Sequence, residues 1–250
     1  MVSVRMFKSR NLTVALAALT LVAGLAGGAR AKSSRILALG DSLMAMNGIT
    51  GHSIADYLRR SLGAQVVNRS VPAAHMVYRL PITGSLGMSI PAQFRKSDRG
   101  WDWVVMTGGG NDLWLGCQCA VCDRRIDKMI SADGTRGEIP QLFHRVQQTG
   151  AQVVYVGYLR SPGIRTPIEH CKDEGDELEA RIARLAARVP GVHYVSLHDL
   201  VPPGDTSYFA IDGIHPSVKA SREIAARVVA LMTKHGARPA PGLVTRDVAQ

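Results

Sequence analysis

Five short apolar runs punctuate the chain: Arg35 to Leu39, Gln65 to Val67, Trp103 to Met106, Gln152 to Val156 and Val192 to Val195. None alternates strictly between apolar and polar positions, so each predicts a strand covered on both faces. Between the runs the spacing changes to three and four residues. Leu178, Ile182, Leu185 and Val189 form one stripe along a helix predicted from Glu174 to Arg188, which Pro190 and Gly191 stop. A last helix is predicted from Ser217 to about Lys234, with Ile224, Val228, Val229 and Met232 inward and Gly236 as terminator. Strands alternating with helices predict parallel βαβ units and hence an α/β fold. The expected form is a three-layer α/β/α, flavodoxin-like open sheet of about five parallel strands, which binds ligands at the carboxyl ends of its strands.

The N-terminus follows a different pattern. Arg5, Lys8 and Arg10 precede an apolar run from Leu12 to about Ala26, and Ala29-Arg30-Ala31 follows. This reads as a secretory signal peptide over residues 1–31, cleaved before Lys32, and the run is too short and too interrupted for a stable membrane span. The expected organisation is therefore a signal over 1–31, one domain over 32–236 and a loose tail over 237–250, in a protein exported to the periplasm or the exterior. Cleavage would leave 219 residues, with 26 basic against 20 acidic ones, a net charge of +6. The cations are scattered and aromatic residues few, so no nucleic-acid partner is expected.

Three motifs fall after predicted strands or before the last helix. The first strand runs into Gly40-Asp41-Ser42-Leu43, which presents a serine at a carboxyl end; as a tetrapeptide it also reads as a turn in which Asp41 or Ser42 caps a helix. The third strand ends in Thr107-Gly108-Gly109-Gly110-Asn111-Asp112. Its small residues would let backbone approach a bound substrate, and Asn111 offers an amide donor. Asp212-Gly213-Ile214-His215 sets a carboxylate three residues before an imidazole, close enough for a loop to fold one onto the other.

Taken in order and in context, these motifs resemble those of the GDSL/SGNH hydrolases, over about Arg35 to Lys234. The resemblance implies the SGNH hydrolase fold and a serine esterase acting through an acyl-enzyme. Ser42 would be the nucleophile, His215 the general base and acid, and Asp212 the group that orients the imidazole. It also implies an oxyanion hole from the N–H of Ser42, a backbone N–H at Ala73 and the side chain of Asn111. Ala73 stands where the family has glycine, so the donor is kept without strain only if the local φ is negative. No metal and no cofactor is needed for this chemistry. The substrate would be a small-molecule or glycan ester. Two other readings share the fold: an envelope polysaccharide O-acetylesterase or acyltransferase using the same residues, and a non-catalytic module that holds a glycan or lipid.

Cys117, Cys119, Cys122 and Cys171 admit either zinc or disulfides, and export favours two disulfides. One arrangement has a local bridge within 117–122 and a second from that cluster to Cys171, so that Leu113 to Gly137 would wall or cover the cleft. The sequence leaves the pairing open. Trp114, Tyr208 and Phe209 flank the motifs and are candidate contacts for an acyl chain or sugar, or packing residues.

Overall fold

The computed structural model describes residues 33–163 and 166–238. In chain order its elements are β1 (Arg35–Leu39), α1 (Ser42–Ala45), α2 (Ile54–Leu62), β2 (Gln65–Asn68), α3 (Pro81–Thr83), α4 (Ile90–Gln93), β3 (Trp103–Met106), α5 (Gly110–Trp114), α6 (Asp123–Met129), α7 (Glu138–Gln147), β4 (Gln152–Val156), α8 (Lys172–Arg188), β5 (Val192–Val195) and α9 (Val218–Lys234). The expected signal over 1–31 lies outside the described residues.

All five strands pair in parallel, in the order β2-β1-β3-β4-β5. The apolar runs of the three inner strands β1, β3 and β4 have the burial they predict, because both sheet faces are covered there, whereas the edge strands β2 and β5 keep exposed or half-buried positions. Ile36, Ala38, Trp103 and Val105 join Leu58 of α2 and Ile224 and Val228 of α9 in one core. Leu37, Leu39, Val104 and Met106 point the opposite way, onto Leu142 of α7 and Leu178 and Ile182 of α8. Period-2 alternation in the backbone thus feeds two hydrophobic layers.

The helix ends are set by local chemistry. Ser53 caps α2 reciprocally with Asp56: the Asp56 N–H donates to Ser53 Oγ at 3.2 Å and the Ser53 N–H to Asp56 Oδ2 at 3.1 Å. Ser217 caps α9, accepting from the Ala220 N–H at 3.2 Å. At the other end of α9, Gly236 adopts φ +95° and the Ala237 N–H reaches back to the Met232 carbonyl at 2.8 Å, closing a Schellman turn. Helix α8 starts two residues before the expected Glu174, with Asp173 and Glu174 in its first turn, where carboxylates favour the helix dipole.

Beyond α9 the chain stays docked longer than a tail starting at Ala237 would. Ala237 is buried, and the Arg238 N–H donates to Ser34 Oγ at 3.1 Å. The remainder of the expected tail, 239–250, lies outside the described residues. The described residues form one compact unit by themselves.

From β1 the chain steps outward to β2, then crosses back over β1 to β3. At this reversal the loops after β1 and β3 diverge and leave a crevice at the carboxyl ends. Ser42 and Asn111 follow those two strands.

Candidate active site

The turn after β1 is held in a conformation that only glycine enters readily. Gly40 has φ +141°, and a Cβ there would lie 2.7 Å from Thr107 Cγ2. Buried Gln93 clamps the same residue from both sides: its Oε1 accepts from the Gly40 N–H at 2.7 Å and its Nε2 donates to the Gly40 carbonyl at 2.9 Å. Asp41 then caps α1, its Oδ1 accepting from the Leu43 N–H at 3.0 Å. The turn-and-cap reading of this motif therefore holds for Asp41. Ser42 becomes the first residue of the helix, partly exposed, with its side chain on the crevice.

After β3 the small residues serve packing. A Cβ on Gly108 would meet the Met76 side chain at 2.6 Å, one on Gly109 would meet Leu178 at 2.8 Å, and one on Gly110 the Tyr158 ring at 2.9 Å. Their lack of side chains lets β3 end against these three groups, and Gly110 also lines the cleft, where backbone is expected to approach a substrate. The next two residues tie this turn to the segment after β2. Asn111 Nδ2 donates to the Ala74 carbonyl at 2.9 Å, and the Asp112 carboxylate accepts from the N–H groups of Met76 at 2.6 Å and Val77 at 2.9 Å. Asn111 keeps a second amide hydrogen for another acceptor. Ala73, one residue away, has φ +60°, the strained alternative for a residue with a Cβ. That geometry explains why glycine would be easier here.

On the loop before α9, Asp212 and His215 meet as their spacing predicted. His215 Nδ1 lies 2.6 Å from Asp212 Oδ2. Asp212 Oδ1 accepts from the N–H groups of Ile214 at 2.9 Å and His215 at 3.0 Å. Partial desolvation would raise the Asp212 carboxyl, but the ring hydrogen bond and those two N–H groups outweigh it and bring it down to about 2. The carboxylate is thus ionised beside the imidazole through the whole neutral range.

Sequence reasoning missed the group that joins these turns. The Tyr158 hydroxyl, two residues past β4, donates to Asp41 Oδ2 and accepts from the Gly110 N–H at 2.9 Å, so one phenol bridges the turns after β1 and β3. Burial and the adjacent Asp41 hold this phenol well above its ordinary range, so it stays a donor. Tyr158 is itself positioned by buried Glu179, which accepts from the Tyr158 N–H at 2.8 Å and from Arg160 Nη1 at 2.9 Å. Replacing Tyr158 with phenylalanine leaves Asp41 Oδ2 and the Gly110 N–H without this partner, at a cost of about 1–3 kcal/mol in urea unfolding. The same change is expected to lower kcat about tenfold with little change in KM, because alignment of the turns is lost while the cleft walls remain.

Ser42, Asn111 and His215 line one cleft of about 850 Å³, measured out to its open mouth. Its walls include Leu43, Leu113, Leu159, Ile168 and Ile214. No hydrogen bond joins Ser42 to His215 among the described residues. Of the three flanking aromatics, Trp114 lines the cleft. Phe209 instead packs in the core and Tyr208 lies 4.1 Å beneath Lys219 Nζ.

The four cysteines form two disulfides, Cys117–Cys122 and Cys119–Cys171. His170 stands beside Cys119 and Cys171, but both sulfurs are bonded to each other rather than present as thiolates. Cys171, Leu113 and Trp114 all line the cleft. The wall formed by the stapled segment is thus Leu113 and Trp114 rather than all of Leu113 to Gly137.

The profile of the GDSL-like Lipase/Acylhydrolase family matches residues 38–222. Among solved structures, a candidate SGNH hydrolase from Slackia heliotrinireducens is 22% identical, with 80% of this chain and 100% of that chain covered and a TM-score of 0.57. A carbohydrate acetylesterase from Sinorhizobium meliloti is 14% identical, with 81% and 100% covered and a TM-score of 0.56. The aryl esterase of M. smegmatis in its inhibitor-bound form is 16% identical, with 81% and 99% covered and a TM-score of 0.54. At these identities the likeness is one of fold. No curated protein matches the chain.

Proposed function

Because the chain belongs to the GDSL-like lipase/acylhydrolase family, whose members hydrolyse esters, we propose that it is an exported serine esterase in which Ser42, His215 and Asp212 carry the reaction through an acyl-enzyme. The observation that carries this reading is the convergence of three separate segments on one cleft: Ser42 after β1, Asn111 after β3, and His215 with Asp212 Oδ2 2.6 Å from its Nδ1.

In this mechanism Ser42 Oγ attacks the ester carbonyl and passes its proton to His215 Nε2. The imidazolium is stabilised by Asp212, which also fixes the tautomer with Nε2 toward the cleft. The oxyanion is met by the Ser42 N–H and by the remaining hydrogen of Asn111 Nδ2. The Ala73 N–H is the third candidate donor, delivered from a left-handed residue. As the intermediate collapses, the ester C–O bond breaks and His215 returns the proton to the departing alcohol. Water then attacks the acyl carbon as the same imidazole takes its proton, the bond to Ser42 Oγ breaks, and His215 returns that proton to Ser42 Oγ as the acid leaves. The gap between Ser42 and His215 closes when substrate excludes water, as is common for catalytic hydrogen bonds.

Two disulfides accord with an oxidising compartment, and among the described residues no helix is long and apolar enough to cross a membrane. The apolar cleft walls favour an acyl group larger than acetyl. With each buried methylene contributing about 0.8 kcal/mol, kcat/KM for p-nitrophenyl butyrate is expected to exceed that for the acetate about tenfold. A profile that falls from acetate onward would favour the acetylesterase or acetyltransferase reading instead.

A further inference from the structure

Among the described residues eight large apolar side chains stand exposed, and all belong to segments that follow the carboxyl ends of strands or open the helix after them. Exposed apolar groups on a soluble surface are ordinarily scattered singly, so their confinement to the face that carries the cleft calls for a partner. They lie on both sides of it. Ile49 and Ile211 are on the α2 and α9 side, where Asn47 Nδ2 ties the Ile49 loop to the Pro216 carbonyl at 3.0 Å.

On the other side the chain makes an excursion whose base is closed by two hydrogen bonds, His75 N–H to the Met88 carbonyl at 2.9 Å and Ile90 N–H to the His75 carbonyl at 3.0 Å. Its tip shows Leu80, Ile82 and Leu86 at 63%, 77% and 75% exposure. The excursion is braced, because the hydroxyls of Tyr78 and Thr83 bond at 2.8 Å and Gly87 packs on Val71.

Between this excursion and Leu115 runs a groove of about 910 Å³ lined by Arg79, Arg125 and Lys128, with no carboxylate among its lining residues. Arg125 lies 3.8 Å from buried Asp112, while Arg79 and Lys128 form no ion pair among the described residues. Glu138 stands on the flank shared with a neighbouring hollow, outside ion-pair distance of either cation.

We propose that this face docks on an anionic lipid bilayer. Leu80, Ile82, Leu86 and Leu115 would enter the boundary between headgroups and acyl chains, while Arg79 and Lys128 meet headgroup phosphates and the mouth of the cleft opens toward the lipid. Apolar tips flanking unpaired cations match an amphiphile, whose charge and hydrocarbon lie a few ångströms apart. Delivery of a lipid ester into the cleft rests on the esterase reading above; docking does not.

The test is flotation of the chain from Lys32 onward with vesicles of phosphatidylcholine, with and without phosphatidylglycerol. The protein is expected to float with the anionic vesicles and far less with the neutral ones. Leu80→Ser/Ile82→Ser/Leu86→Ser and Arg79→Glu/Lys128→Glu proteins should each partition at least about tenfold more weakly, with hydrolysis of a soluble p-nitrophenyl ester and the circular dichroism spectrum unchanged. Ser42→Ala should float like the parent, so failure of the esterase reading would show as lost hydrolysis with docking intact. Absence of binding to anionic vesicles, or equal binding by the variants, overturns the proposal. So does a dimer dissolved by the triple substitution without any vesicle binding, which would assign the face to a second copy of the chain.

Discussion

Replacing Ser42 with alanine is expected to reduce kcat for a p-nitrophenyl ester by on the order of 10⁴–10⁶, with the protein still folded. His215→Ala should cost nearly as much. The double variant should be scarcely worse than either, since nucleophile and base act as one unit and each is ineffective without the other. Asp212→Asn is expected to fall less far, because the imidazole remains but loses its anionic partner. With the Asp212 carboxyl at about 2, Asp212 stays ionised on mild acidification and its pairing with the ring is kept. The stability that this carboxylate contributes is present above its ordinary 3.8 and is lost as pH falls from there through about 2. Steady-state kinetics on the four proteins, with circular dichroism for folding, read these outcomes. Additive losses in the double variant would mean that Ser42 and His215 act independently, contrary to the mechanism.

The second large effect is on stability, and it separates the two disulfides. Cys119–Cys171 closes a sequence separation of 52 residues, whereas Cys117–Cys122 closes one of 5. The loop-closure argument gives about 4 kcal/mol for the long bridge and about 2 kcal/mol for the short one. For a chain of this size, that loss would lower Tm by about 10 °C for Cys119→Ser/Cys171→Ser and by about half as much for Cys117→Ser/Cys122→Ser. Calorimetry of the two double variants makes the comparison. The long bridge also fixes Cys171 at the cleft wall beside Ile168 and Lys172, so its loss is expected to raise KM below the melting temperature. Equal Tm shifts for the two pairs would show that the short bridge supports more structure than its own loop.

The strands were legible because a parallel sheet covered on both faces demands unbroken apolar runs, and the five runs coincide with the five strands to within a residue. Helices α8 and α9 were legible through long periodic stripes. Helices of three to five residues such as α1, α3, α4 and α5 carry too few positions for any period, and their existence depends on what the surrounding loops pack against. In the site, Asp212 and His215 were readable because three residues on one loop bring them together without help from elsewhere. Tyr158 and Gln93 were not readable. Tyr158 contacts Asp41 across 117 residues and Gln93 contacts Gly40 across 53, and neither carries a local motif. The glycines after β3 were visible, but their reason lies in Met76, Leu178 and Tyr158, which only the folded chain brings near. Phe209 and Tyr208 lie next to the Asp212 motif in sequence yet turn away from the cleft, which shows how little adjacency says about orientation on a loop.

The proposed mechanism requires that Ser42 become covalently acylated with His215 as its base. The most direct measurement is intact-protein and peptide mass spectrometry after reaction with a p-nitrophenyl phosphonate ester, which leaves a stable adduct on an activated serine. One phosphonyl group per chain is expected, on the peptide carrying Ser42, and none in the His215→Ala protein under the same conditions. A labelled residue other than Ser42, or steady ester hydrolysis by a protein that never takes the label, would contradict it.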